Sequence, residues 1–175
     1  SVASGYSAES AIATPISSSL SSLLDGAIEI CVIGRDTTGN WQTEATAASA
    51  SWTKDLTAPT AALSGQPTGR SRAANLDITV AGTSVSHYKY KIRSATDPSC
   101  ANSTGYSGSV AVAVHIADSV SSFADGTLQI CLIGSDSVGN WQTEATGATA
   151  SWIKDNLAPT AVINDAPTAA SKATP

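Results

Sequence analysis

Aspartate, glycine, asparagine and tryptophan recur in the same order at two places in this chain. Asp36, Gly39, Asn40 and Trp41 lie within GRDTTGNWQTEAT, and Asp136, Gly139, Asn140 and Trp141 lie within GSDSVGNWQTEAT. Carboxylate and amide oxygens at this spacing suit two chemistries. They can hold calcium, which takes about six to eight oxygens, some of them from backbone carbonyls or water. They can equally close a turn, where Asp and Asn bond their own backbone and Gly supplies a positive φ. Asp55 and Asp155 add carboxylates beyond each phrase, and Glu44 and Glu144 lie nearby. The calcium expectation is therefore Asp36, Asn40, Asp136, Asn140, Asp55 and Asp155. The spacing is much sparser than an EF-hand loop, which favours the turn.

Trp41 and Trp141 directly follow the turn residues. An exposed indole face can stack on a sugar, so both are possible ligand-binding residues. A large aromatic beside a turn also covers an apolar end, and packing is the favoured reading. Trp52 and Trp152 fall in alternating segments and are expected in a core or at a junction.

Catalytic chemistry finds little to work with. The two histidines are His87 and His115, and the position of His115 is occupied by Pro15 in the other copy of the phrase. A histidine doing the same job in both copies would not alternate with proline. No serine lies in a GxSxG context, and no CxxC pair suggests zinc. The expectation is no enzyme, and no cofactor beyond calcium.

The elements that must position these residues follow from repetition. Adding 100 to a residue number aligns the chain with itself without a gap: Gly5 with Gly105, Asp25 with Asp125, Cys31 with Cys131, Trp52 with Trp152, Pro59 with Pro159. About half of residues 1–75 are identical to their partners in 101–175. That period is too long for a solenoid repeat and fits a whole small domain. Residues 59–158 read as one complete copy, 1–58 as the later part of a preceding copy, and 159–175 as the first part of a following one. The expectation is a window on a longer tandem array. Strand donation between chains is the rival, in which 159–175 would open the 1–58 unit of a neighbour. It would leave the equivalents of Leu76–Val80 and Tyr88–Ile92 unsupplied.

Composition agrees with short strands and tight turns. Apolar residues make up 42%, enough for a core, whereas charged residues are 13% against about a quarter in average proteins. Leu76–Val80 alternates apolar and polar residues. His87–Arg93 puts Tyr88, Tyr90 and Ile92 on one face, with Lys89, Lys91 and Arg93 on the other. Val110–Ile116, Thr127–Ile133 and Ala148–Ile153 are further strands, and Pro59 restricts the entry strand to an edge. This pattern predicts an all-β fold of tandem antiparallel β-sandwiches.

The order of PTA, YKYK, DG before an apolar strand, DxxGN after it and WxKD before AP resembles bacterial immunoglobulin-like repeats. The resemblance covers essentially the whole chain. It implies tandem immunoglobulin-like sandwiches in a large secreted or surface-attached protein. The expected role is structural and adhesive: a rigid stalk or filament outside a bacterial cell, partnered by neighbouring repeats, by copies of itself, or by a surface glycan or protein. The alternative is a carbohydrate-binding module accessory to a secreted enzyme. A net charge of −5 with scattered cations argues against nucleic acid, and no apolar run reaches the roughly 18 residues that cross a bilayer.

Three cysteines remain to be paired. Cys31 and Cys131 hold the same repeat position, and Cys100 lies in the loop DPSCANS. The economical pairing is Cys100 with Cys131, leaving Cys31 for a partner outside the chain; three free thiols are the alternative. A bridge would imply an oxidising compartment, in keeping with an extracellular or cell-surface location.

Overall fold

The computed structural model describes residues 5–164, and the parts of the expected preceding and following copies at 1–4 and 165–175 lie outside that range. The chain forms two compact units that part after Thr57. Both are all-β, with a single 3-10 turn at Glu44–Thr46 as the one helical element among the described residues.

The first unit is built around a hairpin of β1 (Gly26–Val32) and β2 (Ala48–Lys54), paired antiparallel from Gly26 opposite Lys54 to Val32 opposite Ala48. The second unit contains β3 (Thr60–Ser64), β4 (Arg70–Ser71), β5 (Thr79–Thr83), β6 (His87–Ser94), β7 (Val110–Ala111), β8 (Gly126–Ser135) and β9 (Ala148–Lys154). Its β8–β9 hairpin repeats the β1–β2 register residue for residue, from Gly126 opposite Lys154 to Leu132 opposite Ala148. Asp25-Gly26 and Asp125-Gly126 start both first strands, with each glycine at φ 141°, a conformation that a side chain rarely adopts.

Two sheets share one core in the second unit. One has the order β4-β9-β8-β6-β7, and the other pairs β3 with β5. Leu76, Ile78 and Val80 meet Tyr88, Leu128, Ile130, Leu132 and Trp152, with Ile116 and Val120 closing the cluster. Period-two alternation is the cause: in each strand every second side chain turns inward. At Gly82, opposite Ala61, the strands come so close that an added Cβ would fall on the Thr60 carbonyl.

Three expectations change in the structure. Pairing of β5 starts at Thr79, because Leu76 and Ile78 instead give their N–H groups to Asp118 and Ile116 carbonyls. The Val110–Ile116 run is broken: Val110 and Ala111 join the edge of β6, a turn closes from the Val114 N–H to the Ala111 carbonyl, and Ile116 bridges Ile78 of the other sheet. The sheets are also not purely antiparallel. After β3 the chain crosses to the opposite sheet through Gly65 and Gly69, so β4 runs parallel to β9, Arg70 opposite Ile153.

Candidate functional site

The repeated aspartate corner connects β8 to β9. Asp136 is buried, and its Oδ1 accepts the N–H groups of Val138 (2.9 Å), Gly139 (2.8 Å) and Asn140 (2.9 Å). Its Oδ2 accepts the Asn140 side-chain amide at 2.8 Å. Gly139 takes φ 98° to bring its N–H inward. Asp36 and Asn40 build the same corner in the first unit, with the Thr38 N–H and hydroxyl on Oδ1. Gln142 ties the corner to both sheets: its Oε1 accepts from Gly134 (2.9 Å) and from Ala61 of β3 (3.2 Å), while its Nε2 donates to the Thr146 carbonyl.

This arrangement spends carboxylate oxygens on turn donors. Burial pushes the Asp136 carboxyl up, but the Asn140 backbone and side-chain bonds, with those from Val138 and Gly139, outweigh it and hold the group below its ordinary value. A depressed folded value means the unfolded chain binds the proton more tightly. The stabilisation is complete above the unfolded value of about 4 and is lost as pH falls through the depressed folded one. Between about pH 6 and about pH 2, the denaturation midpoint is expected to fall less steeply in Asp136→Asn than in the native chain; parallel curves contradict this. The melting temperature is expected to be the same in calcium and in chelator, because the corner oxygens already carry donors.

Asp155 lies at the opposite end of the hairpin, roughly 30 Å away at the usual rise of a strand. Its Oδ1 accepts the Leu157 N–H and its Oδ2 accepts Arg70 at 2.7 Å. The Leu157 bond first, then Arg70, keeps its carboxyl below the ordinary range. Asp55 accepts the Thr57 N–H in the same way. Lys154 is buried and donates to the Phe123 carbonyl, and Asp125 accepts the backbone and side chain of Asn156. Asp25 likewise takes the Leu56 N–H and the Thr57 hydroxyl. The chain leaving each hairpin is thus latched to the residue that starts it.

Trp141 is half-buried opposite Ser135, with the Lys89 ammonium 4.5 Å from its ring centroid. Trp41 is more exposed, with Arg35 5.6 Å from its centroid. A cation on the indole face is worth a modest attraction and occupies surface that a sugar would need. Trp152 is in the core at 2% exposure, whereas Trp52 is 42% exposed.

Cys100 and Cys131 are joined by a disulfide, and Cys31 is an exposed free thiol. Beside the bridge lies a residue whose role alternation did not reveal. Lys91 faces away from the core yet is buried, because the 95–106 loop folds over it. Its ammonium donates to the carbonyls of Ser99 (2.8 Å), Asn102 (2.6 Å) and Thr104 (3.1 Å), 4.7 Å from the Tyr106 ring centroid. The available signal was its register: Lys91 stands opposite Cys131, beneath the loop that Cys100 anchors. The histidines are exposed; His115 Nδ1 contacts Asp77 at 2.7 Å and His87 Nδ1 contacts the Ser86 hydroxyl.

Comparison with protein-family models, curated proteins and solved structures returns no match to this chain. Among the described residues, no helix is long and apolar enough to cross a membrane.

Proposed function

We propose that this chain is a structural and adhesive segment of an extracellular tandem array, made of immunoglobulin-like β-sandwich repeats, in a bacterial surface protein or filament. The observation that carries this reading is the pair of hairpins in one register, 100 residues apart, with apolar residues kept at the paired positions Ile28/Leu128, Ile30/Ile130, Val32/Leu132 and Trp52/Trp152. A binding function needs one good site, whereas a repeated frame with a repeated corner and a repeated exit latch is what reach and stiffness require. The placement of β4 alongside β9, and of β3 and β5 across the core, supports an immunoglobulin-like topology. The Cys100–Cys131 bridge supports an oxidising location.

The bridge also has a mechanical consequence. The cysteines are 31 residues apart, so under load the enclosed chain cannot extend. Single-molecule stretching of the oxidised protein is expected to give one strong rupture for the second unit. Reduction should lengthen the released contour by roughly 100 Å, from about 3.3–3.6 Å per residue. Rupture at negligible force in the oxidised protein would remove the mechanical role.

A further inference from the structure

We propose that the face of the β1–β2 hairpin is an acceptor surface, and that its occupant is a segment with the sequence pattern of residues 59–100. The template lies in the same chain. The two hairpins share residues and register, but in the second unit residues 59–100 fill three features that stand open in the first.

The first is apolar. Leu128, Ile130, Leu132 and Trp152 are each no more than 2% exposed, covered by Ile78, Val80, Tyr88 and their neighbours. Their counterparts Ile28 and Ile30 are half-buried, and Val32 and Trp52 are 39% and 42% exposed. The second is a backbone socket. Gln142 Oε1 receives both Gly134 and Ala61, whereas among the described residues Gln42 Oε1 receives Gly34 alone. The third is covalent: Cys131 is buried and bonded to Cys100, while Cys31 is exposed and free.

A generic apolar peptide would satisfy only the first feature. An N–H in the register of Ala61, together with a cysteine in that of Cys100, selects the 59–100 pattern. The inference rests on the repeat register and not on the mechanical role, so the stretching result and the one below fail independently.

The test uses the full chain, with Cys100–Cys131 oxidised, and a synthetic peptide of residues 59–100 in glutathione buffer. The Cys31 thiolate attacks glutathione disulfide and releases one glutathione. The peptide Cys100 thiolate then attacks the Cys31 sulfur of that mixed disulfide and releases the second. One glutathione disulfide is reduced to two thiols as one Cys31–Cys100 bond forms. Mass spectrometry should find that bond at least about tenfold in excess over a peptide carrying Ile78→Asp and Tyr88→Asp, since both side chains lose buried contacts. In a second arm, the Cys31→Ser chain is mixed with the Cys100→Ser peptide, and hydrogen exchange at Ile28–Val32 should slow without any covalent link. Equal disulfide yields from the two peptides, or unchanged exchange in the second arm, would overturn the proposal.

Discussion

Reducing the Cys100–Cys131 bridge is expected to lower the melting temperature of the second unit by roughly 15–25 °C. The cross-link closes a loop of 31 residues, and removing it restores about 3–4 kcal/mol of chain entropy to the unfolded state. In a domain of this size each kcal/mol moves the midpoint by roughly 4–8 °C. Cys131 is fully buried in the middle of β8, so a reduced thiol there stays within the packed sheet. The Lys91 ammonium still holds the loop through three carbonyls. The fold should therefore survive reduction at low temperature with a lower midpoint. Calorimetry before and after reductant measures the effect, and a shift of only a few degrees would show that the loop is held without the bridge.

The second large effect separates two identical substitutions. Trp152→Ala is expected to cost about 3–5 kcal/mol, the usual penalty for emptying a large aromatic site in a core. The Trp152 indole N–H makes no hydrogen bond, so the loss is one of packing and cavity formation. Trp52→Ala, at the same repeat position, is expected to cost about 1 kcal/mol or less, because much of that side chain is already in water. Urea titrations of the two variants beside the native chain provide the comparison. Equal shifts would mean that the hairpin itself, and not the sheet across from it, sets the value of the tryptophan.

Much of the frame was legible in the residues. Alternation in Leu76-Asp77-Ile78-Thr79-Val80 and around Tyr88 placed the core-facing side chains, since only one face of each strand can be buried. Asp136, Gly139 and Asn140 spelled a turn because their side chains and φ preferences act locally. The features that were not legible depend on distant partners. The break after Ala111 comes from Ile116 being needed against Ile78 in the opposite sheet, and a run of apolar residues carries no sign of a change of sheet. The parallel β4–β9 pair arises from a crossover after β3, which local pattern cannot specify. Lys91 alternates outward like any surface lysine, and only the loop folded above it makes that side buried. The Asp125–Asn156 latch joins residues 31 apart, with no short motif to announce it.

The first unit shows what the repeat frame means energetically. Its strands carry nearly the same residues as β8 and β9, yet none of its described residues is buried. Register and turns are local properties and survive in the hairpin alone, whereas core burial depends on the second sheet. The corner at Asp36 and Asn40 therefore forms with its hydrogen bonds complete while the tryptophan next in line stays exposed.

The 59–100 strands, and not the hairpin sequence alone, create the core. Residue-resolved hydrogen exchange of the native chain tests this most directly. Amides of Leu128–Leu132 are expected to exchange only through global opening, at least about a thousandfold slower than those of Ile28–Val32. Comparable protection of the two strands would contradict the account.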